Sequence, residues 1–291
     1  MSADDNLSSA ESAHPLLGIN VLLTRPALQA VKLSKRIQEL GGKVLSLPLL
    51  EIDPVLDKPS IERVKSKIMA LDQYDIALFI STNAASLGME WIARYWPQLP
   101  VGLDAYAVGP STAELLQQFP WSVHYSSTGI TSEHLLELPG LQDITGKRVA
   151  LFRGQGGREL LAETLRARGA RVDYIELYQR REPSYDREET LAIMRAGRIN
   201  VAVLTSLQIL ESFLRLLGLG VPNEGARLQA RDKADDALLS LLHTLWIVVP
   251  SVRVRDVAVA AGFSHVIQAR GADDESILDS LSRGDVQVED M

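Results

Sequence analysis

The sequence contains no cysteine, so this chain has neither a disulfide framework nor a site built from thiolate ligands. Histidine is also scarce, and its five positions show none of the short spacings typical of metal ligands; they are His14, His124, His134, His243 and His265. No apolar run approaches the length of about 20 residues that a membrane-spanning helix needs. We therefore expect neither a metal site nor a membrane-embedded segment.

Positive charge is the minority charge, because 30 Lys and Arg residues face 37 Asp and Glu residues, for a net charge of -7. Bulk nucleic-acid binding needs a basic surface, so this balance argues against nucleic acid as a partner. A local cationic cleft for a small polyanion is still compatible with it. Residues 1–15 are polar and acidic and lack the apolar core of a secretory signal. We interpret residues 1–15 and 283–291 as disordered tails and expect a cytoplasmic protein.

The most informative feature that is present is an internal repeat. The segment NVLLTRP at 20–26 recurs as RVALFRG at 148–154, an offset of 128 residues, and the register continues without a gap into the segments that follow. A second block pairs DIALFIS at 75–81 with NVAVLTS at 200–206, at an offset of 125. Two copies of one unit predict two similar lobes with a ligand cleft between them.

A third, fainter block aligns AVGPSTAELL at 107–116 with VVPSVRVRDV at 248–257, at an offset of 141. The larger offset indicates an insertion in the second copy, around residues 217–241. The length of 291 residues suits two domains of ordinary size, each with its own core.

Each copy is predicted to alternate strands and helices. It begins with a short apolar run, at 21–23 and 149–152, of the kind that is buried on both faces of a parallel sheet. An amphipathic helix follows in the first copy, with its apolar positions at Ala27, Val31, Leu33, Ile37 and Leu40. Further strands are predicted at 44–50, 76–80, 106–108, 123–126, 172–178, 201–204, 246–249 and 265–269. Five strands per copy, alternating with helices, predict an α/β fold with a doubly wound parallel sheet of the flavodoxin type.

Small polar residues follow the predicted strands, as in STN at 81–83 and GPST at 109–112. The carboxyl ends of parallel strands form the ligand edge of such a sheet, and helix N-termini there favour carboxylate or phosphate. A structural role fits the same turns, because Ser111 and Glu114 match a capping box. The stretch GQGG at 154–157 lacks the spacing of a phosphate-binding loop. Ligand binding and helix capping both stay open for these turns.

Six segments together resemble the uroporphyrinogen-III synthase family. They are VLLTRP, PLLEI, FISTNAA, YAVGPSTAELL, LYQRREP and PSVRVRDVAVAAGF, and they span about residues 19–282 in the family's order. Each motif is degenerate, and their joint order and spacing carry the resemblance.

The resemblance implies that the chain crosses between lobes after the second strand of each copy. One domain would then contain residues 16–51 and 184–282, and the other would contain residues 55–178. The segments 51–54 and 178–183 would join them as a two-stranded antiparallel linker. The expected architecture is two internally duplicated, flavodoxin-like domains.

The resemblance also implies a function in tetrapyrrole (haem) biosynthesis. Members of the family are cofactor-free lyases that convert hydroxymethylbilane, a linear tetrapyrrole with eight carboxylates, to uroporphyrinogen III. The ring A hydroxyl leaves, ring D attacks through its substituted carbon, and a spiro intermediate fragments and recloses with ring D inverted. Because the bilane also closes unaided to the type I isomer, the enzyme's main task is to hold the geometry of the inverted closure.

A monomer is implied as well, with transient transfer of the substrate from hydroxymethylbilane synthase as a further expectation. The alternative function is a non-catalytic, two-lobed module that binds an anionic metabolite. It would share the fold and the polar turns with the enzyme.

Tyr178, in LYQRREP, matches the family's tyrosine and is the predicted catalytic residue. Tyrosine hydroxyls are protonated at neutral pH, so Tyr178 could donate a proton to the departing hydroxyl, although packing as a strand aromatic is the structural alternative. The predicted substrate-binding residues lie at strand ends and helix starts; they are Arg25, Ser81, Asn83, Gly109, Thr112, Arg153, Ser206, Ser251 and Arg253.

Arg25 and Arg153 are repeat partners at equivalent strand ends. Two guanidinium groups directed at the cleft would suit a substrate with eight carboxylates. Arg253 stands where many relatives have a threonine, so this position departs from the family pattern. Arg180 and Arg181 are interpreted as surface charges.

Overall fold

The structure, a computed structural model, describes residues 14–127, 129, 131–157, 159–221 and 236–283. Apart from residues 14, 15 and 283, the two predicted tails lie outside this described part, and so do residues 222–235 of the predicted insertion. The chain forms two compact units. Unit 1 combines the chain up to Glu51 with the chain from Arg181 onward, and unit 2 is Ile52–Arg180.

Regular elements are numbered along the chain. The strands of the described residues are β1 (Asn20–Leu23), β2 (Lys43–Ser46), β3 (Glu51–Pro54), β4 (Ile76–Phe79), β5 (Asp104–Ala107), β6 (Val123–Tyr125), β7 (Arg148–Gly154), β8 (Arg171–Arg181), β9 (Val201–Val203), β10 (Trp246–Val249) and β11 (His265–Gln268). The helices there are α1 (Ala27–Glu39), α2 (Lys58–Met69), α3 (Thr82–Tyr95), α4 (Pro110–Gln117), α5 (Ser132–Leu136), α6 (Leu160–Ala167), α7 (Arg187–Ala196), α8 (Leu207–Leu216), α9 (Asp236–Thr244), α10 (Val252–Ala260) and α11 (Asp274–Ser282). Short 3-10 helices occur at Leu71–Gln73 and Pro139–Leu141.

Unit 1 contains a five-stranded sheet in the order β11-β10-β9-β1-β2. Its neighbouring strands pair in parallel, so that Val21 of β1 lies opposite Val44 on one side and Val201 on the other. Parallel pairing requires a crossover after each strand, and the helices of this unit supply those crossovers.

Unit 2 contains a six-stranded sheet in the order β3-β8-β7-β4-β5-β6. The pairs β8-β7, β7-β4, β4-β5 and β5-β6 are parallel. The α/β fold with parallel sheets that the sequence predicts is thus present, and the strand ends of each sheet collect at one edge.

The central strands of both sheets are buried on both faces. In β1, Leu22 belongs to one apolar cluster, whereas Val21 and Leu23 belong to another. In β4, Phe79 and Leu78 divide between two clusters in the same way. Successive side chains of a strand point to opposite faces of the sheet, and here both faces are buried. The sequences of these strands are therefore continuous apolar runs.

Most strands end within a residue or so of their predicted bounds, but one ends four residues early. The prediction of a strand over 44–50 is wrong beyond Ser46, where β2 ends. Pro48 lies just after this end and has no N–H group to continue a ladder of hydrogen bonds, while its carbonyl accepts a bond from the Tyr185 hydroxyl at 2.9 Å. None of the described helices combines the length and the apolarity required to cross a bilayer.

Candidate active site

Four adjacent strands of unit 2 bring predicted site residues to one edge of its sheet. Tyr178 lies near the end of β8, Arg153 near the end of β7, Ser81 just after β4, and Gly109 just after β5. Because β8, β7, β4 and β5 are neighbours that run in parallel, their carboxyl ends lie side by side. This is the edge at which α/β sheets bind ligands.

The side chains of Tyr178 and Ser81 meet across the strand that separates them. Their hydroxyl oxygens are 3.0 Å apart, and either hydroxyl can donate. Strand β7 lies between β8 and β4, and the Tyr178 ring crosses it at Gly154, where a Cβ atom would come within 2.5 Å of the ring carbon Cε2. The contact therefore depends on the absence of a side chain at Gly154.

A register shift supports this arrangement. Arg153 pairs with Glu176, but the next residue, Gly154, pairs with Tyr178, so β7 and β8 change register at this point. Such irregularities redirect the side chains near them. Tyr178 has no exposed surface in this structure, and it packs in the apolar cluster around Phe79 and Phe152. The Tyr178 ring therefore packs as a strand aromatic, which is the structural alternative for this residue. Its hydroxyl contacts Ser81 at the edge of the sheet.

Ser81 also begins a helix. It is the N-cap residue of α3, and its Oγ accepts a hydrogen bond from the Ala84 N–H at 3.1 Å. This bond satisfies one of the N–H groups that a helix leaves free at its start. Asn83 lies in the first turn of the same helix and is half-buried. Capping fixes the position of the Ser81 hydroxyl, which is an advantage for any group that must be aligned with Tyr178.

Gly109 and Thr112 lie at the start of α4. Gly109 is the N-cap residue with a φ of 81°, a left-handed conformation that glycine adopts without strain. The helix begins at Pro110, so Ser111 lies inside it, and the predicted capping box of Ser111 with Glu114 is wrong. Thr112 is only 3% exposed. A substrate contact by Thr112 would require its hydroxyl to become accessible.

Arg153 is enclosed by acceptors of its own unit. It is 2% exposed, and its guanidinium donates to the carbonyl oxygens of Gly154 and Gly156 and to the Glu159 carboxylate. The guanidinium also stacks on the Tyr174 ring, 4.8 Å from its centroid. The Tyr174 hydroxyl donates to Glu159 and lowers the pKa of that carboxyl, while burial and Glu159 raise the pKa of Tyr174.

Arg25 of unit 1 is held in a similar way. It is 7% exposed, and it pairs with the Asp274 carboxylate at 2.6 Å and donates to the Ala272 carbonyl at 3.3 Å. A contact of Arg25 or Arg153 with a substrate carboxylate would require the guanidinium to exchange these internal partners.

The other predicted residues of unit 1 occupy helix starts. Ser206 is the N-cap residue of α8 and accepts a hydrogen bond from the Ile209 N–H at 3.2 Å. Ser251 is the N-cap residue of α10 but makes no capping bond through its side chain, and it is half-buried. Arg253 is exposed in the first turn of α10. These three residues therefore lie beside the carboxyl ends of β9 and β10.

Gly154 is the main residue of this edge that the sequence does not predict. It occupies the repeat position of Pro26, and a glycine at the end of a buried strand can indicate a close approach by another group. Within the described ranges, no group of three or more His, Asp or Glu side chains is arranged to hold a metal ion.

Parallel α/β sheets with small polar residues at their carboxyl ends define a class of ligand-binding proteins and enzymes. The sequence profile of the family described as Uroporphyrinogen-III synthase HemD matches residues 31–279. The uroporphyrinogen-III synthase of Escherichia coli (strain K12) is 31% identical over 267 residues, which cover 90% of this chain and 100% of that protein. The corresponding protein of Proteus mirabilis is 40% identical over 175 residues, which cover 59% of this chain and 85% of the relative.

A crystal structure of a mutant uroporphyrinogen III synthase from Thermus thermophilus shares the fold, with a TM-score of 0.53 at 18% identity. The match covers 90% of this chain and 96% of that one. This chain belongs to the uroporphyrinogen-III synthase family, whose members act in porphyrin biosynthesis. The family predicted from the sequence motifs is confirmed.

Proposed function

We propose that this chain catalyses the reaction of its family, the cyclisation of hydroxymethylbilane to uroporphyrinogen III with inversion of ring D and loss of water. The observation that carries the proposal is the family match over residues 31–279, together with a relative that is 31% identical and matched along its whole length. The reaction is a dehydration and rearrangement in which no atom is oxidised or reduced overall. It therefore needs no redox cofactor, and we propose that the enzyme is cofactor-free.

Tyr178 and Ser81 act on the first step. The bond between the ring A methylene carbon and its hydroxyl oxygen breaks, and the hydroxyl leaves as water after receiving a proton. Tyr178 donates that proton, or a hydrogen bond, to the leaving oxygen. The Ser81 hydroxyl donates a hydrogen bond to the Tyr178 oxygen, 3.0 Å away, and so stabilises the negative charge that the transfer leaves there. Tyr178 regains its proton from the pyrrole carbon that loses one when the macrocycle recloses. Since Tyr178 is fully buried in this structure, the residues that cover its hydroxyl must move aside for substrate to reach it.

The second step depends on geometry. Ring D must attack the ring A carbon through its substituted position, so the enzyme must favour that closure over the direct one. We propose that the polar strand ends bind the carboxylates that fix this geometry. In unit 2 these are Ser81, Asn83, Gly109, Thr112 and Arg153; in unit 1 they are Arg25, Ser206, Ser251 and Arg253. Helix N-termini and hydroxyl groups at such edges are suited to carboxylates.

We also propose that the two units are copies of one flavodoxin-like domain. The order β11-β10-β9-β1-β2 of unit 1 corresponds to β6-β5-β4-β7-β8 of unit 2 when the repeat partners β1 and β7 are aligned, which supports the duplication. The proposed domains are residues 16–51 with 184–282, and residues 55–178. The segments 51–54 and 178–183 would form the two-stranded antiparallel linker.

The experiment that tests the function is incubation of the purified chain with enzymatically generated hydroxymethylbilane. Chromatography of the oxidised products separates the type III isomer from the type I isomer. An excess of type III is the expected result. Type I product alone, at the rate of the uncatalysed closure, would reject the enzyme and favour the non-catalytic binding module. The cytoplasmic location, the monomeric state and substrate transfer from hydroxymethylbilane synthase stay predictions of the resemblance.

A further inference from the structure

A cavity of about 240 Å³ opens within unit 2, next to the end of β7. Ile80, Leu151 and Leu161 form its apolar floor, and Ser132, Arg180 and the loop of residues 154–157 form its polar lining. Sites that enclose a whole small-molecule ligand usually measure about 300–1,000 Å³. This cavity therefore has room for one part of a larger molecule.

Arg180 gives the cavity a positive charge that nothing in the described part of the chain neutralises. It is exposed, and it makes no hydrogen bond, ion pair or ring contact with the described residues. Its neighbour Arg181 differs, because it forms an ion pair with Glu51. Arg153, which also lines the cavity, is paired with Glu159. The guanidinium of Arg180 is thus the group here that can bind an anion without breaking an existing contact.

The lining suits a short alkyl chain that ends in a carboxylate. Methylene groups would lie against the floor at Ile80 and Leu161, where contact with water is unfavourable. A carboxylate at the cavity mouth could accept two parallel hydrogen bonds from the Arg180 guanidinium and one from the Ser132 hydroxyl. A phosphate would gain the same charge contact, but it has no alkyl part to cover the apolar floor.

We propose that this cavity binds one carboxyalkyl arm of the tetrapyrrole, with Arg180 as the residue that holds its carboxylate. The inference rests on the proposed function, because that function supplies a substrate with eight such arms. Arg180 also follows Tyr178 by two residues on β8. An arm held there would place the attached pyrrole ring near the strand ends that carry Tyr178 and Ser81.

The first test is Arg180→Gln, with Arg181→Gln as the matched control. The two variants remove the same charge from adjacent exposed residues, but only Arg180 lines the cavity. We expect Arg180→Gln to raise KM for hydroxymethylbilane roughly three- to fivefold, as for an ion pair in contact with water, with kcat and the type III fraction unchanged. Arg181→Gln should stay within about twofold of the wild type.

Failure of this inference is distinguishable from failure of the proposed function. A wild-type chain that forms no type III product would reject the function. If the wild type is active and Arg180→Gln has the same KM, only the proposed role of the cavity is rejected. Equal increases in KM for Arg180→Gln and Arg181→Gln would also reject this role, because the effect would then follow from the net charge of the surface.

A second pair of variants tests the cavity without changing charge. Ser132→Leu places an alkyl chain in the space, whereas Ser132→Ala removes only the hydroxyl. We expect Ser132→Leu to raise KM by at least as much as Arg180→Gln, and Ser132→Ala to have a smaller effect. A wild-type KM in a folded Ser132→Leu variant would show that no arm of the substrate enters the cavity.

The kind of arm can be identified by the binding of product analogues. The wild type and Arg180→Gln are compared for affinity to uroporphyrinogen III and to an analogue whose four carboxymethyl arms are replaced by methyl groups. If the Arg180 effect disappears with the analogue, the cavity holds a carboxymethyl arm; if it persists, the cavity holds a carboxyethyl arm. Equal affinity of the two proteins for both compounds would overturn the proposal.

Discussion

The hydroxyl oxygens of Tyr178 and Ser81 lie 3.0 Å apart, although 97 residues separate them in the sequence. Ser81 is fixed by α3, because its Oγ caps that helix through the Ala84 N–H. Tyr178 is fixed by burial of its ring and by Gly154, which leaves room for the ring to cross β7. A tyrosine held by so many neighbours has a defined direction for its hydroxyl, which is what a proton donor requires.

Replacing Tyr178 with Phe tests the donor role directly. We expect Tyr178→Phe to lower kcat about tenfold, below the range of about 10²–10⁴-fold typical of general acids, because water can replace the hydroxyl as donor. The product should still be type III, since ring placement depends on the whole site. Tyr125→Phe, a change of an exposed tyrosine in the same unit, should leave kcat unchanged. Wild-type turnover in folded Tyr178→Phe would reduce Tyr178 to a packing residue, and a switch to type I product would make it a positioning residue.

Replacing Ser81 with Ala separates capping from catalysis. The variant loses an N-cap, which costs about 1 kcal/mol of stability, and it also leaves the Tyr178 hydroxyl without its partner. Asp186→Ala is a control because Asp186 caps α7 through the Glu189 N–H and lies outside the site. We expect similar losses of stability in urea denaturation but a lower kcat only for Ser81→Ala. Equal kcat values in the two variants would limit Ser81 to helix capping.

Replacing Gly154 with Ala should move Tyr178 without changing its chemistry. The new methyl group would overlap the ring, at 2.5 Å from Cε2, and such overpacking costs about 1–3 kcal/mol. Gly88→Ala is the matched control, because its methyl group would meet Phe152 and Phe79 at 2.9 Å, elsewhere in the same core. We expect both variants to be destabilised and only Gly154→Ala to lose turnover at a temperature where both are folded. If the losses in turnover followed stability alone, the role given to Gly154 would be incorrect.

Much of the fold is predictable from local patterns. Apolar runs predict β1 and β7 because both of their faces are buried, and this requirement acts on every residue of the run. The buried face of α1 differs in part from the one predicted by spacing. Val31 fits the predicted apolar face by spacing but is 64% exposed, whereas Ala30, Leu33 and Ile37 are buried. Two apolar stripes fit the helical period here, and the sheet against which α1 packs selects one of them.

The candidate site is predictable only in part. Strand ends predict which residues reach the edge, so Tyr178 and Ser81 are found by sequence and by resemblance. Their contact depends on the order β8-β7-β4 and on the register shift at Gly154, which no local pattern encodes. The burial of Arg25 depends on Asp274, which is 249 residues away. Contacts between residues that are far apart in the sequence therefore become known only from the structure.

Replacing Arg25 with Ala tests whether it stabilises unit 1. The pair Arg25–Asp274 is largely buried, with side chains 8% and 19% exposed, so its loss leaves a carboxylate without a partner. Arg36–Glu275 joins α1 itself to α11, where Asp274 also lies, but this pair is exposed, at 38% and 73%. We expect Arg25→Ala to lower the free energy of unfolding by about 2–3 kcal/mol and Arg36→Ala by less than about 1 kcal/mol. Wild-type stability of Arg25→Ala would contradict this structural role, and a raised KM in the same variant would support the substrate contact proposed for Arg25.

The last prediction concerns pH and the amino-terminal end of the unit 2 sheet. The Asp75 carboxylate accepts hydrogen bonds from the Arg148 N–H at 2.8 Å and from the Lys147 ammonium at 2.9 Å. The pKa of Asp75 lies below its ordinary value of 3.8, mainly because of the hydrogen bond from the Arg148 N–H. Lys147 lowers this pKa further, whereas burial of the carboxyl raises it. A carboxyl with a lowered pKa in the folded state stabilises that state above the ordinary value, and the effect is lost as pH falls through the lowered one.

Asp75→Asn should therefore be less stable than the wild type at pH 7, by about 0.5–1 kcal/mol, because the group is partly exposed and its ion pair is screened. The difference should shrink as pH falls below 3.8, since protonation removes the charge from the wild type as well. Urea denaturation of both proteins at several pH values measures it, with Asp143→Asn, an exposed change in the same unit, as the control. A deficit that stayed constant from neutral pH into the acid range would show that the contribution of Asp75 does not depend on its charge.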